Sequence, residues 1–295
     1  MKITTAGSLG NVSKPLIELL IAAGHEVTVI TSSPERRGAI ESLGALAAIG
    51  SVSDVDFLTQ AFKGADAVYT MTPSAMGSTH MIENIADAGK AYARAIREAG
   101  VTRVVMLSSI GADAAEGTGP IKGVHRVEQI FQQLSDVHVT ILRAGFFYYN
   151  FLRDIPMIKS MNIFGNNYNG DDGLPLSHPR DIAAAAADLL QRKGKGIEVK
   201  YIVSDISTGN EIATLLGQAI GKPDLSWTTI PDEQLEQGML AAGLPPELAG
   251  LLTELGQGVR AGIVTKHFFD RGANVAGLIK LEQFAEEFRA RYLQV

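Results

Sequence analysis

Gly7-Ser8-Leu9-Gly10-Asn11-Val12-Ser13 is the stretch on which the fold turns. The β-branched run Lys2 to Ala6 leads into it and the apolar-periodic run Val12 to Ala23 leads out, so a Gly-x-x-Gly-x-x-Ser spacing joins a predicted strand to a predicted helix. In that setting Gly7 supplies a tight turn and Gly10 lets the backbone approach a pyrophosphate. Leu9 lies between them, and the N–H groups around Asn11 and Val12 sit at the positive end of a helix dipole. Ser13 stands where a third glycine would permit close packing of helix on strand, and Pro15 falls where its missing N–H costs nothing. The stretch reads as the phosphate-binding turn of a Rossmann domain; the other reading is a structural glycine turn in an α/β fold. A Walker-type loop is excluded, because Gly217 to Pro223 ends in Gly-Lys-Pro without the spacing or the magnesium-binding hydroxyl.

Outward from this turn the first half of the chain alternates strand and helix patterns, the signature of βαβ units on a parallel sheet. The sequence predicts strands at Lys2 to Ala6, Glu26 to Thr31, Leu46 to Ile49, Ala67 to Met71, Arg103 to Ser108 and Val137 to Leu142. Helices are predicted at Val12 to Ala23, Val55 to Phe62, Met81 to Glu98 and Gly123 to Leu134, with Gly24 and Gly100 as C-terminal caps. A seventh strand is expected at Lys200 to Val203, after an alanine-rich helix from Asp181 to Gln191. Beyond Ser204 the pattern becomes helices broken by Gly and Pro, with a short strand at Leu225 to Ile230. The expectation is an α/β protein: a doubly wound parallel sheet from residues 1–150, completed by 176–204, and a smaller, mostly helical C-terminal lobe from 205–295 with 151–175.

Composition narrows the function classes. With 46% hydrophobic and 20% charged residues the chain of 295 is ordinary globular material, and a net charge of −6 offers no basic footprint for nucleic acid. Cysteine is absent, which removes thiolate nucleophiles, disulfides and cysteine-ligated metal; the six histidines are scattered, so no metal site is expected. Leu16 to Ala23 is too short to span a bilayer and contains Glu18, and no secretory leader pattern is present. The expected location is the cytoplasm, without membrane insertion.

Cofactor choice is read at the end of the second strand, where an acidic residue would grip a ribose 2′-hydroxyl. Thr31-Ser32-Ser33-Pro34-Glu35-Arg36-Arg37 has no carboxylate at that point but two hydroxyls, Ser32 and Ser33, and two guanidinium groups, Arg36 and Arg37, in reach of a 2′-phosphate. NADP is expected over NAD; the other reading leaves Arg36 and Arg37 as solvated residues of the next helix.

Taken with Gly50-Ser51-Val52-Ser53-Asp54, Gly64-Ala65-Asp66-Ala67-Val68, Ala99-Gly100-Val101-Thr102-Arg103-Val104-Val105 before Ser108-Ser109-Ile110-Gly111-Ala112, Ile141-Leu142-Arg143-Ala144-Gly145-Phe146-Phe147 with Asn150, and Arg180-Asp181-Ile182-Ala183, the chain resembles the NmrA-like family of atypical short-chain dehydrogenases nearly from end to end. The resemblance implies a dinucleotide between the Rossmann domain and a C-terminal substrate lobe. It places Ser51 and Val52 beside the adenine, with serine where relatives commonly carry Asp, and Met71, Thr72 and Pro73 on the nicotinamide side. The end of the sixth strand would face the nicotinamide as well.

Short-chain dehydrogenases use a Tyr-x-x-x-Lys pair whose ammonium makes the tyrosine a proton donor near neutral pH. Here Ile121 falls at the tyrosine position and His125 at the lysine position. His125 is the candidate to orient the nicotinamide ribose or donate a proton, against the alternative of a helix histidine bonded to a carbonyl. Lys122 is the candidate substitute one turn away, against a solvated lysine. Ser108 is expected to line the nicotinamide pocket. Phe147, Tyr148 and Tyr149 form an aromatic cluster that suits a flat apolar substrate such as a quinone, or else packs the two lobes together. Two functions follow: an NADPH-dependent oxidoreductase with a small apolar acceptor, or an NADP-binding regulator of a protein partner.

Overall fold

Alternation of β-branched strands with amphipathic helices produces one parallel sheet. The computed structural model describes residues 1–73 and 79–294. Strands β1 (Lys2–Thr5), β2 (Glu26–Thr31), β3 (Leu46–Ile49), β4 (Ala67–Thr70), β5 (Arg103–Ser109) and β6 (His138–Ala144) alternate with helices α1 (Ser13–Ala22), α2 (Arg37–Ser42), α3 (Val55–Phe62), α4 (Met81–Ala99) and α5 (Ile121–Phe131). There follow β7 (Phe146–Phe147), α6 (Ile155–Met161), β8 (Phe164–Asn166), β9 (Gly173–Ser177), α7 (Pro179–Gln191) and β10 (Ile197–Ile202). The last part holds β11 (Asp205–Thr208), α8 (Gly209–Ala219), β12 (Trp227–Thr229), α9 (Asp232–Ala241), α10 (Pro246–Arg260), α11 (Lys266–Asp270) and α12 (Leu281–Gln294).

The large sheet has the order β3-β2-β1-β4-β5-β6-β10, and every pairing in it is parallel. Growth reverses direction between β1 and β4, which makes the crevice beyond their C-terminal ends the topological switch point where open α/β sheets bind ligands. Both faces are covered. Leu16, Leu20, Ile182 and Leu190 of α1 and α7 close one side, while Ile85, Ile96, Val127 and Phe131 of α4 and α5 close the other. All seven residues of β6 are buried, as a strand enclosed on both faces requires. Helices α4 and α5 meet through reciprocal glycines. A Cβ on Gly89 would lie 2.7 Å from Val127 Cγ2, and one on Gly123 would lie 2.9 Å from Ile85 Cβ.

A third core gathers Tyr148, Phe164, Phe268, Phe284 and Phe288. Around it lie a three-stranded sheet in the order β11-β9-β7 and the parallel pair β12 and β8. Among the described residues no helix is long and apolar enough to cross a membrane.

Three local differences from expectation have physical causes. β10 starts three residues before Lys200, because Ile197, Val199 and Tyr201 alternate with Glu198 and Lys200, which pair with each other at 3.1 Å along one side of this outer strand. β7, which pairs with β9, and β8, which pairs with β12, lie outside the predicted strands, since two or three residues are too few to display alternation. β6 runs past Leu142 through Arg143 to Ala144, because the charge on Arg143 is matched inside the protein.

Candidate functional site

The glycine turn adopts the geometry its residues permit. Gly7 has φ +100° and Ser8 φ +53°, the Gly10 N–H donates to the Gly7 carbonyl at 3.1 Å, and α1 starts at Ser13. Ser13 is fully buried and its hydroxyl donates to the Ala6 carbonyl at 3.2 Å, so the missing third glycine is replaced by a bond between helix start and strand end. Among the described residues no group takes the N–H of Asn11 or Val12. Asn11 is exposed, Leu9 and Gly10 half-buried, and Val12 buried beneath the turn. The result is a concave run of backbone with unpaired donors at a helix N-terminus.

At the end of β2 the two arginines separate. Arg37 reaches along its helix to Glu41 at 3.4 Å, whereas Arg36 turns back and donates to Ser8 Oγ at 3.0 Å. Ser8 in turn donates to Thr31 Oγ1 at 3.0 Å, and the Ser33 N–H donates to the same Thr31 oxygen at 3.2 Å. A guanidinium therefore lies across the mouth of the turn, with exposed Ser32 and half-buried Ser33 beside it. After β3, Ser51 is exposed and its Oγ accepts the Ser53 N–H at 3.1 Å, while Val52 packs against the core.

At the C-terminal ends of the central strands lies a cavity of about 310 Å³. Met71 and Thr72 line it beyond β4, Leu107 to Ile110 at β5, Ile121 and Val124 from α5, Gly145 to Phe147 and Asn150 beyond β6, and Leu255 from α10. Met71 joins the cavity to the glycine turn, because the Ser13 hydroxyl also faces its sulfur at 3.4 Å. Pro73 follows, exposed. α10 is held over this region by charge: Lys122 Nζ bonds Glu254 Oε2 at 2.7 Å, and the Gly117 N–H donates to Glu254 Oε1 at 3.1 Å. At its other end Glu247 accepts the N–H groups of His80 and Met81 at 2.6 and 2.7 Å, which satisfies the start of α4.

Several predicted residues are thus brought together and others are not. Met71, Thr72, Ser108 and Phe147 line the cavity, while His125 and Lys122 do not. The His125 Nδ1–H donates to the Ala112 carbonyl at 2.8 Å, leaving Nε2 as the ring's other nitrogen. Lys122 is half-buried outside the cavity, paired with Glu254 at 2.7 Å and with Glu116 at 3.7 Å. Ile121, at the position of the family's tyrosine, presents an apolar side chain to the cavity.

The expected aromatic wall needs a correction. Tyr148 is fully buried and stacks on Phe284 of α12, with ring centroids 5.1 Å apart, and its hydroxyl donates to the Ile279 carbonyl at 3.3 Å. Tyr149 donates to Glu287 at 3.0 Å. Past β7 the chain winds into a tight helical turn that points both tyrosines at the C-terminal helix, so the rings facing the cavity are Phe146 and Phe147.

His178 completes this clasp on α12. It is fully buried, its Nδ1 accepts the Arg180 N–H at 3.1 Å at the start of α7, and Nε2 faces Glu287 at 3.3 Å, a carboxylate also bound by Arg180. Burial lowers the His178 pKa below the ordinary imidazole value, and this outweighs the opposing pull of Glu287. With the folded pKa below the unfolded one, the unfolded chain binds more protons, so this contribution is present above about pH 6.5 and is lost as the pH falls. Thermal melts at pH 7.5 and 5.5 are expected to show a drop in Tm that is smaller in His178→Asn, which keeps a helix cap but does not titrate.

Beneath Ser108 lies a group of residues whose pairing no local pattern marks. Glu128, 1% exposed, takes Arg143 Nε at 3.0 Å and Nη2 at 2.7 Å, and it accepts the Ser108 hydroxyl at 2.5 Å. Arg143 also bonds Asp113 at 3.3 Å and the Tyr201 hydroxyl at 3.1 Å, and Tyr201 in turn bonds His267. The cavity floor therefore rests on a buried ion pair.

Comparison with known proteins agrees with this geometry. An NADPH-dependent quinone oxidoreductase from Escherichia coli, solved with NADPH, has a TM-score of 0.79 and 21% identity, covering 97% of this chain and 99% of that one. The triphenylmethane reductase of Citrobacter sp., solved with NADP(H), gives 0.81 and 18% over 97% and 99%. NmrA, a negative transcriptional regulator solved with NAD, gives 0.77 and 18% over 99% and 97%. These identities establish a shared fold. No curated protein matches in sequence. The profile of the NmrA-like family, however, matches residues 1–261, and the chain belongs to that family.

Proposed function

We propose that this protein is an NADP(H)-binding oxidoreductase that passes hydride to a small, flat, apolar acceptor such as a quinone. The observation that carries the proposal is the largely apolar cavity of about 310 Å³, faced by Phe146 and Phe147, at the switch-point edge of the sheet and joined through Met71 to the glycine turn. Residues 1–150 with 176–204 serve as the cofactor domain, and 205–295 with 151–175 as the substrate lobe.

The residues fit a dinucleotide. The free N–H groups of Asn11 and Val12, with Gly7, Leu9 and Gly10 leaving the backbone open, suit the pyrophosphate. Ser51 and Val52 border the adenine, while Ser32, Ser33 and Arg36 surround the ribose 2′ position. Met71, Thr72, Pro73 and Ser108 flank the nicotinamide, and His125 Nε2 is the nitrogen left to meet its ribose. When bound, the reduced nicotinamide supplies a hydride, and a proton from solvent completes the conversion of quinone to hydroquinone. The chain itself contributes position and dryness. Phe146 and Phe147 hold a flat ring, Ile121, Val124 and Leu255 exclude water, and the Lys122–Glu254 pair keeps α10 in place above.

The test follows NADPH oxidation against a panel of quinones and aldehydes. Turnover with a quinone supports the oxidoreductase; absence of turnover across the panel, alongside micromolar dinucleotide binding, overturns it. A second reading, an NADP-responsive regulator of a protein partner, is favoured by one observation, the apolar Ile121 at the position of the proton-donating tyrosine. Arg36 sets the cofactor preference in either case. Arg36→Ala is expected to weaken NADP binding by about tenfold to a hundredfold, the worth of a charge-assisted phosphate contact, and NAD binding far less. Isotherms for both nucleotides check this, and equal losses for the two would remove Arg36 from the 2′ site.

A further inference from the structure

The cavity carries four polar side chains, Thr72, Ser108, Ser109 and Asn150, among apolar ones. Both serine protons are already committed to the protein. Ser108 donates to Glu128 Oε1 at 2.5 Å, and Ser109 donates to the Ile110 carbonyl at 2.9 Å. The direction of the Ser108 bond is enforced from behind. A guanidinium has only donors, so Arg143, gripping both oxygens of Glu128, keeps that carboxylate an acceptor, and the carboxylate holds the Ser108 proton. Arg143 cannot turn away, because it is 5% exposed and tied to Asp113 and Tyr201. Ser108 thus turns lone pairs toward the cavity.

We propose that Ser108 is a specificity-determining hydrogen-bond acceptor, which makes the cavity select flat ring ligands that bring an un-ionised hydroxyl to it. The proposal rests on the cavity being the acceptor pocket described above. A quinone with only carbonyl and ether oxygens sets lone pair against lone pair at Ser108, and relief requires the Ser108 hydroxyl to give up its hydrogen bond to the Glu128 carboxylate. A ligand hydroxyl meets Ser108 as a donor. Its ring carbonyl is left for Asn150 or Thr72, whose side chains make no hydrogen bond among the described residues. Sites built around a fixed acceptor reject ligands lacking the matching donor far more strongly than an apolar wall discriminates size.

The test compares a hydroxymethyl-substituted naphthoquinone with its methyl ether. Dissociation constants are measured by calorimetry on protein loaded with oxidised NADP, and kcat/KM is measured with NADPH. In the unaltered protein the hydroxyl compound is expected to bind about tenfold more tightly, the discrimination of one hydrogen bond. Ser108→Ala should bring the ratio near one, whatever its effect on the overall rate, and Ser108→Thr, which keeps the hydroxyl, should retain the preference. Equal affinities in the unaltered protein, or a preference that survives Ser108→Ala, overturn the proposal. A binding preference without turnover leaves it standing and removes the oxidoreductase reading; turnover without preference does the reverse; binding of neither compound removes both.

Discussion

Glu128→Ala is expected to lower the unfolding free energy by about 3–5 kcal/mol, the usual cost of breaking a buried ion pair from one side. Arg143 lies on β6 among fully buried residues, and Asp113 and the Tyr201 hydroxyl cannot replace the two charge-assisted bonds it makes to Glu128. The variant leaves a guanidinium half-satisfied in the interior and releases the Ser108 proton. Replacing both partners at once, Glu128→Leu with Arg143→Met, should recover most of the loss, since no charge is then stranded. Urea denaturation of the two single variants and the double variant measures the coupling. A loss below about 1 kcal/mol in Glu128→Ala would mean that water reaches Arg143 and that the pair is not a structural unit.

That pair also marks where the sequence stops being legible. The strands and helices of the first half are bracketed by residues with a local mechanism. Gly24 and Gly100 close α1 and α4 with positive φ, Asp54 caps α3, and β2, β3 and α3 begin and end at the residues their patterns suggest. Glu128 has no such mark, because a glutamate on an amphipathic helix ordinarily faces water, and what buries it is an arginine on another element. Arg143 falls one residue beyond the strand predicted to end at Leu142, yet the strand runs through it. Chain-distant partners account for the other failures. Phe147 and Tyr148 are neighbours of like character, and they part only because α12, from the far end of the chain, offers Phe284 as a stacking surface to one of them. Lys122 is captured by Glu254 of α10, which no local pattern announces.

Gly7→Ala is expected to abolish useful dinucleotide binding, with a loss of affinity of about a hundredfold or more, while the protein remains folded. The backbone at Gly7, with φ +100°, disfavours any side chain by about 1–3 kcal/mol. An added Cβ would also press on Met71 Sδ and Ser13 Oγ, both well inside contact distance. Met71 has a flexible end and gives way cheaply. Ser13 does not, because its hydroxyl holds the first residue of α1 to the Ala6 carbonyl at the end of β1. Relief therefore displaces the start of α1, the element whose neighbouring N–H groups at Asn11 and Val12 would meet the pyrophosphate. Adding Ser13→Gly removes one of the two collisions, so the double variant should regain part of the lost stability. It should not regain affinity, because the turn must still leave its positive φ to accept the Cβ. Isothermal titration with NADP and thermal melts on the single and double variants separate the two effects. If Gly7→Ala bound dinucleotide within about threefold of the unaltered protein, less than 1 kcal/mol, the pyrophosphate would not lie over this turn, and the cavity beyond Met71 would have to be read without a cofactor beside it.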